Sequence, residues 1–468
     1  MQKMTSFFPF LTGGSQTMDE TKNRMTEGPI WKILLRFALP LLLGNLFQQL
    51  YNAVDAFVVG NFDSKAALAA VTSSGSLCFL IIGFFQGVFI GASVIISRYF
   101  GAQDSEGVDR AVHTTVIFSL LLGGVLSIFG VLFTPTILTW MGTPANVMPN
   151  SVAYFRIYCA GLLGLVLYNT ANGIFQAMGD SKHPLYYLIT ASCINVVLDL
   201  IFVAGFHMGV TGAALATVIG QALSALLGFA RLMSGKCPVT FSFQKLRLDK
   251  SIFIRIFRLG LPSGVQNSVI SIANVVIQSN INAFGDNAMA GCGSYFKIEG
   301  FVFLPITSLA LALTTFVSQN LGAGQPQRAK QGARLGMAMS MGAAELLGAV
   351  FFLFAPFFIG LFNSEPEVIA YGVRQARIEC FFYCFLALSH TAAATLRGAG
   401  RAVIPMGIML AVWCVGRIIY VTLMVAHIPD IAVVFSAYPV TWSTSAVLFV
   451  LYLWRVPWAE HSSPALAG

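Results

Sequence analysis

Charge is scarce in this chain: Asp, Glu, Lys and Arg make up 10% of its 468 residues, against 56% hydrophobic side chains. Soluble domains carry roughly a quarter charged residues, so a soluble enzyme is excluded and a polytopic membrane protein is implied. The eight cysteines fall inside apolar runs or beside basic turns and never form a CxxC pair, which leaves no disulfide or zinc framework to expect. The six histidines neither cluster nor take metal-ligand spacing. No glycine-rich loop ends in Lys followed by Ser or Thr, so ATP-driven export by this chain alone is not expected and energy must come from an ion gradient. Residues 1–26 lack the basic, apolar, small-residue order of a cleaved signal and read as a cytoplasmic tail. No enzyme constellation and no cofactor motif appears; a proton or sodium ion would be the only small partner besides substrate and lipid.

What the chain has instead is length of apolar sequence. Runs of about 20 residues, enough to cross roughly 30 Å of hydrocarbon, recur twelve times, for example over 37–60, 150–178 and 259–284. The predicted fold is all-α, with twelve transmembrane helices. The net charge of +8 is spread as topology signals: Lys32, Arg36, Arg98, Arg110, Lys182, Arg231, Arg258, Arg328, Lys330, Arg334, Arg397 and Arg401 all mark the termini or even-numbered connections. Odd-numbered connections carry Lys65 with Asp63, Asp286, Glu365, Glu367 and Asp430. By the positive-inside rule both termini face the cytoplasm, and no nucleic-acid patch is formed.

The chain is also a repeat. Arg36-Phe37-Ala38-Leu39-Pro40 returns as Arg258-Leu259-Gly260-Leu261-Pro262; Ser97 and Gly101 match Ser318 and Gly322; Arg156 and Cys159 match Arg377 and Cys380. The shift is 221 or 222 residues throughout. An even number of spans per half gives parallel, pseudo-symmetric six-helix lobes around a central cavity. The expected divisions are a tail (1–27), an N-lobe (28–233), a linker (234–258) with an interfacial amphipathic helix, a C-lobe (259–455) and a second tail (456–468). In that linker Leu248, Ile252, Phe253, Ile256 and Phe257 share a face suited to the membrane surface.

Two acids break the symmetry. Asp55 and Asp199 lie within apolar spans, while the matching positions hold Ile277 and Tyr420. A carboxylate near the bilayer centre costs roughly 2.5–3.5 kcal/mol even on the translocon scale, so such residues usually face a polar chamber holding a cation or proton. Asn45, Gln48, Asn52 and Asp55 follow one helical face; Asn195 lies one turn before Asp199; Thr217 sits in the sixth span, and Tyr154, Asn172 and Gln176 in the fourth. Carboxylate, amide and hydroxyl oxygens are hard ligands suited to sodium as well as to a proton-carrying acid pair. The plainer reading is that Asn45, Asn172 and Gln176 are interhelical glue worth roughly 0.6 kcal/mol each. Lys297, Glu299, Glu345, Arg377, Glu379 and Arg417, further charges in the second half, read as structural pairs or snorkelling groups.

These segments resemble the multidrug and toxic compound extrusion (MATE) family over about Gly28 to Arg455. The resemblance rests on Pro40 to Gly60 with Gln48, Asn52 and Val54-Asp55, on Ile194 to Asp199, on Gly212 to Thr217, and on Gly101-Ala102 matched by Gly322-Ala323. It implies a V-shaped cavity between the lobes and export of organic cations in exchange for sodium or protons by a multi-pass cell-membrane protein, here expected as a monomer. Carried over by position, Asp55, Asn195, Asp199 and Thr217 look like the ion site, with Gln48, Asn52, Tyr154, Asn172 and Gln176 beside it in the substrate cavity. Some sodium-coupled members have an acid in the seventh span, whereas Ser263 to Ser279 has none, which points to the branch using its first lobe. The rivals are a lipid-linked oligosaccharide flippase, which would need several cavity arginines where the N-lobe spans offer almost only Arg156, and a non-transporting receptor or scaffold.

Overall fold

The computed structural model describes residues 25–62 and 65–460; the side chains at 52, 55–57, 59–62, 65–82 and 272 lie outside that description. Long helices dominate because backbone N–H and C=O groups have no water to turn to in hydrocarbon and must be satisfied within each span. The N-lobe comprises α1 (Ile30–Phe62), α2 (Lys65–Gly101), α3 (Ser105–Trp140), α4 (Met148–Ala160), α5 (Leu162–Ala177), α6 (Lys182–Asp199) and α7 (Gly209–Met233). The C-lobe comprises α8 (Lys250–Asn282), α9 (Asp286–Gly322), α10 (Pro326–Gly360), α11 (Pro366–Glu379), α12 (Tyr383–Gly398), α13 (Val403–Met409), α14 (Arg417–His427) and α15 (Ile431–Arg455). Ten helices among the described residues are individually long and apolar enough to span, and α4 with α5 forms an eleventh, bent by 46°. The twelfth is α8, 33 residues long, whose polar stripe of Asn267, Ser271, Asn274 and Gln278 dilutes its hydropathy. The chain is thus an all-helical, twelve-span membrane protein built from two six-span lobes.

The fourth span is not the straight run over 150–178 that its hydropathy predicts. It breaks at Gly161, where a Cβ would stand 2.3 Å from Val218 Cγ2, so α7 presses on the chain at the one residue that can admit it. The tenth span stays continuous but tightens at the matching place into a 3-10 turn over Cys380–Phe382. Hydropathy sees neither feature, because apolar residues continue through both.

The linker leads directly into the C-lobe. Asp249 caps α8 by accepting hydrogen bonds from the backbone of Ser251 (3.0 Å) and Ile252 (3.1 Å). From Lys250 the helix runs without interruption into the seventh span. Part of its apolar face packs on protein: Ile252 and Ile256 are buried in one core cluster with Ile95, Ile96, Tyr99 and Val112 of the N-lobe, while Leu248 and Phe257 stay exposed.

The lobes meet along α2 and α8, which approach until glycines touch. A Cβ on Gly87 would lie 2.1 Å from Gly264 N, and one on Gly91 would lie 2.5 Å from Gly260 N. Small residues permit this close packing, the usual way helices associate without a hydrophobic drive between them. At the end that bears the basic connections a symmetric clasp closes the seam: Gly101 abuts Gln319 O and Gly322 abuts Arg98 O. Ser97 Oγ donates to Ala177 O (3.2 Å), Ser318 Oγ to Val94 O (2.7 Å), and Gln319 Nε2 to Ala177 O (2.7 Å). The residues preceding α1 are tied to the opposite lobe as well. Met25 donates its N–H to Gln319 Oε1 (3.1 Å), Asn320 Nδ2 donates to Met25 O (3.1 Å), and an Arg328 guanidinium nitrogen donates to Gly28 O (2.8 Å).

Candidate ion site of the N-lobe

Four helices surround a small chamber in the N-lobe. It has a volume of about 40 Å³ and is lined in part by Gln48 and Tyr51 of α1, Tyr168 of α5, Ser192 and Asn195 of α6, and Thr217, Gln221 and Ser224 of α7. One water needs some 10–15 Å³ on this measure, so the chamber suits a small ion with a water or two and excludes a drug-sized molecule. Helix α7 reaches it because Gly220 has no side chain: a Cβ there would sit 3.3 Å from Asn195 Cβ.

Asn195 lines the chamber at 3% exposure, and both heteroatoms of its amide lack a hydrogen-bond partner among the described residues. An unsatisfied buried amide costs about 1–3 kcal/mol, which a bound cation would recover through the amide oxygen. Thr217 donates to Ala213 O at 3.0 Å, leaving its oxygen lone pairs available to a cation. Asp199, the last residue of α6, is fully buried one turn further on. The helix then widens into a π-helical turn, Leu200–Gly205, a distortion that recurs at functional positions.

Of the residues singled out from sequence, the structure brings Gln48, Asn195 and Thr217 onto one wall system. Asn172 lies one turn after Tyr168 on α5 and Gln176 one turn further, both outside the lining. Tyr154 is packed in an apolar cluster with Leu138, Tyr158 and Val203. The side chains of Asn52 and Asp55 lie outside the described residues, although the backbone of both is helical within α1. Tyr51, Tyr168, Ser192, Gln221 and Ser224 were missed. Helical spacing carries the signal for each: three after Gln48, four before Asn172, three before Asn195, and four and seven after Thr217.

The C-lobe charges gather elsewhere. Glu379 is fully buried, accepting from Tyr295 Oη (3.1 Å) and Gln375 Nε2 (2.9 Å). Arg417, 2% exposed, donates to Thr441 Oγ1 (2.9 Å) and Asn274 Oδ1 (3.3 Å) and lies 4.5 Å from the Tyr438 ring centroid. No carboxylate comes within ion-pair distance of Arg417 among the described residues, so polar and aromatic groups hold this charge rather than the paired acid that sequence suggests. Lys297 reaches outward over the Phe362 ring, and Glu345 accepts from Cys384 N.

Two six-span lobes packed about a glycine seam, with an ion-sized polar chamber in the N-lobe, define a polytopic helical membrane protein built from a tandem repeat. Comparison with solved structures agrees: a MOP superfamily transporter from Pyrococcus furiosus, described as having a binding pocket of reverse polarity, superposes with a TM-score of 0.87 over 97% of this chain and 100% of its own, at 23% identity. The MatE family model matches twice, over 40–201 and 262–423, reproducing the internal repeat. The chain belongs to the MATE family. The probable multidrug resistance protein YoeA of Bacillus subtilis is 30% identical over 92% of this chain and 96% of its own length. An FAD transporter of Shewanella oneidensis is 25% identical over 74% of this chain and 78% of its own. These relatives are membrane transporters rather than enzymes.

Proposed function

We propose that this protein exports lipophilic organic cations in exchange for protons or sodium ions, using Asp55, Asn195, Asp199 and Thr217 as the ion site. The observation that carries the reading is the buried, unpartnered Asn195 amide facing an ion-sized chamber, with the buried Asp199 one helical turn further along α6 and outside the lining. With the lobes parted on the face away from the basic connections, a proton or sodium ion entering the N-lobe would neutralise the acids. Loading the site removes the negative charge that attracts a cationic substrate, so the substrate leaves; reopening toward the basic face, cytoplasmic by the positive-inside bias, lets the ion escape and restores that charge. The ion shifts the conformational equilibrium only by its difference in affinity for the two states. The drug itself would bind between the lobes, since the chamber is far too small for it.

One relative is an FAD transporter, so an anionic cargo is the alternative to weigh. The N-lobe acids favour cations here, and among the described residues the chamber lining holds no basic side chain that would suit an anion. The deciding experiment is cationic-dye flux into proteoliposomes under separate pH and sodium gradients. Gradient-driven flux that disappears in Asp55→Asn and in Asp199→Asn, with both variants inserted normally, is the expected result. Undiminished flux in both variants rejects the site, and flux indifferent to either gradient rejects the exchange mechanism.

A further inference from the structure

A second cavity lies far from the ion chamber, between the first turns of α10 and the end of α15. Its volume is about 310 Å³, and its lining includes Lys330, Arg334 and Arg455 together with Met337, Leu453 and Trp454. Three cations converge there against one acid: Lys330 Nζ meets Glu460 Oε1 at 2.6 Å. Arg334 and Arg455 have no carboxylate within 4 Å among the described residues. Like charges gathered around a cleft repel one another, so the arrangement is relieved by an anion placed among them.

The surroundings select the kind of anion. Trp454 stands at the cavity edge 79% exposed, and below it along the same face of α15 the exposed Leu451 and Val447 lead toward the apolar belt. Trp, Lys and Arg at the end of a span mark the headgroup level of a bilayer. A free phosphate has no use for the apolar track. A phospholipid fits both parts: phosphate against the two guanidinium groups, which favour bidentate contact, and an acyl chain along Leu451 and Val447. Basic pockets between spans are a known form of headgroup site.

We propose that this cleft binds the headgroup of an anionic glycerophospholipid, held by Arg334 and Arg455 with Lys330, and anchors the C-lobe to the leaflet on the basic face. The test uses the full chain purified in detergent, with phosphatidylglycerol or phosphatidylcholine titrated in and bound lipid counted by native mass spectrometry. Wild type is expected to prefer phosphatidylglycerol. Each neutralised arginine should weaken that binding about fivefold, and Arg334→Gln with Arg455→Gln together roughly twenty-five-fold. Arg334→Lys with Arg455→Lys should retain most of it, whereas Lys236→Gln with Arg247→Gln, two exposed charges of the N-lobe side, should leave it unchanged. The proposal is overturned if the double glutamine variant binds like wild type, if the N-lobe control loses as much, or if inorganic phosphate at matched concentration displaces the lipid completely, since the last result would assign the cleft to a free anion.

Discussion

At the scale of single residues, the asymmetry between the lobes is chemical rather than architectural. Asn195 is the sharpest probe of the ion chamber because its amide is buried without a partner. Hydrogen bonds to charged groups are worth about 1.5–3 kcal/mol, so Asn195→Ala should weaken ion-driven dye flux roughly ten- to a hundredfold. Insertion should be unaffected, since the alanine removes an unsatisfied group; flux measured at several sodium and proton concentrations separates lost ion affinity from lost turnover. Outside the membrane, Asp430 caps α15 by accepting from Ala432 N (2.9 Å) and pairs with Arg374 (2.7 Å). The backbone bond first, and then Arg374, hold its carboxyl below the usual carboxylate range. Because its value in the folded state is depressed, its stabilising contribution is present above about pH 4 and is lost as pH falls through the lower folded value. Melting curves in detergent should show that acid-side loss shrinking in Asp430→Asn, which still caps the helix well but does not titrate.

The residue scale also shows how far sequence reasoning reached. That Gln48, Asn195 and Thr217 share one chamber was legible because amide and hydroxyl groups at helical spacing stand out against hydrocarbon. Tyr51, Ser192 and Ser224 were not singled out because a tyrosine or serine in a span is common as packing or as a local hydrogen-bonding group. Arg417 read as a structural pair or a snorkelling group; its hydrogen-bond and ring partners, Asn274 of α8 and Thr441 and Tyr438 of α15, come from two other helices whose meeting only the fold discloses.

Among elements, α2 and α9 carry the closest tolerances. A Cβ at Gly101 would fall 2.0 Å from Gln319 O, and at Gly322 it would fall 2.1 Å from Arg98 O. Both obstacles are backbone, which cannot swing aside. Gly101→Val and Gly322→Val should therefore unseat the clasp on the basic face and bias the protein toward the opposite opening. Accessibility of engineered cysteines to membrane-impermeant thiol reagents, compared from the two sides, reads that bias directly; an unchanged pattern would show that the clasp does not hold the lobes. The repeat and its glycines were legible in the sequence, but their role was not: matching Gly101 with Gly322 identifies equivalent positions, whereas the fact that each meets the other lobe depends on the pseudo-symmetry axis passing between them. The bend at Gly161 was invisible for a related reason, since steric pressure from a neighbouring helix leaves no trace in hydropathy.

For the molecule as a whole, closure at one face and an ion chamber within one lobe predict a sidedness. In a chain with its native cysteines replaced, Gln48→Cys should react with an impermeant thiol reagent supplied from the face opposite the basic connections. Reaction from the basic side should be slower in the conformation described. Equal rates from both sides would mean that the seam along α2, α8 and α9 leaks.

Helix α1 belongs to the N-lobe by sequence, yet the residues just before it are fastened by Gln319, Asn320 and Arg328 to the other half of the protein. Its later turns carry Gln48 and Tyr51 into the ion chamber. A rod pinned at one end to one moving body and embedded along its length in another acts as a tie-bar, so rocking of the halves loads it in tension or bending. Pro40, which leaves one rung of the helical ladder without its donor, supplies a compliant point between the pin and the chamber. Shape change at the mouth and occupancy of the ion pocket are therefore mechanically linked by a single piece of backbone.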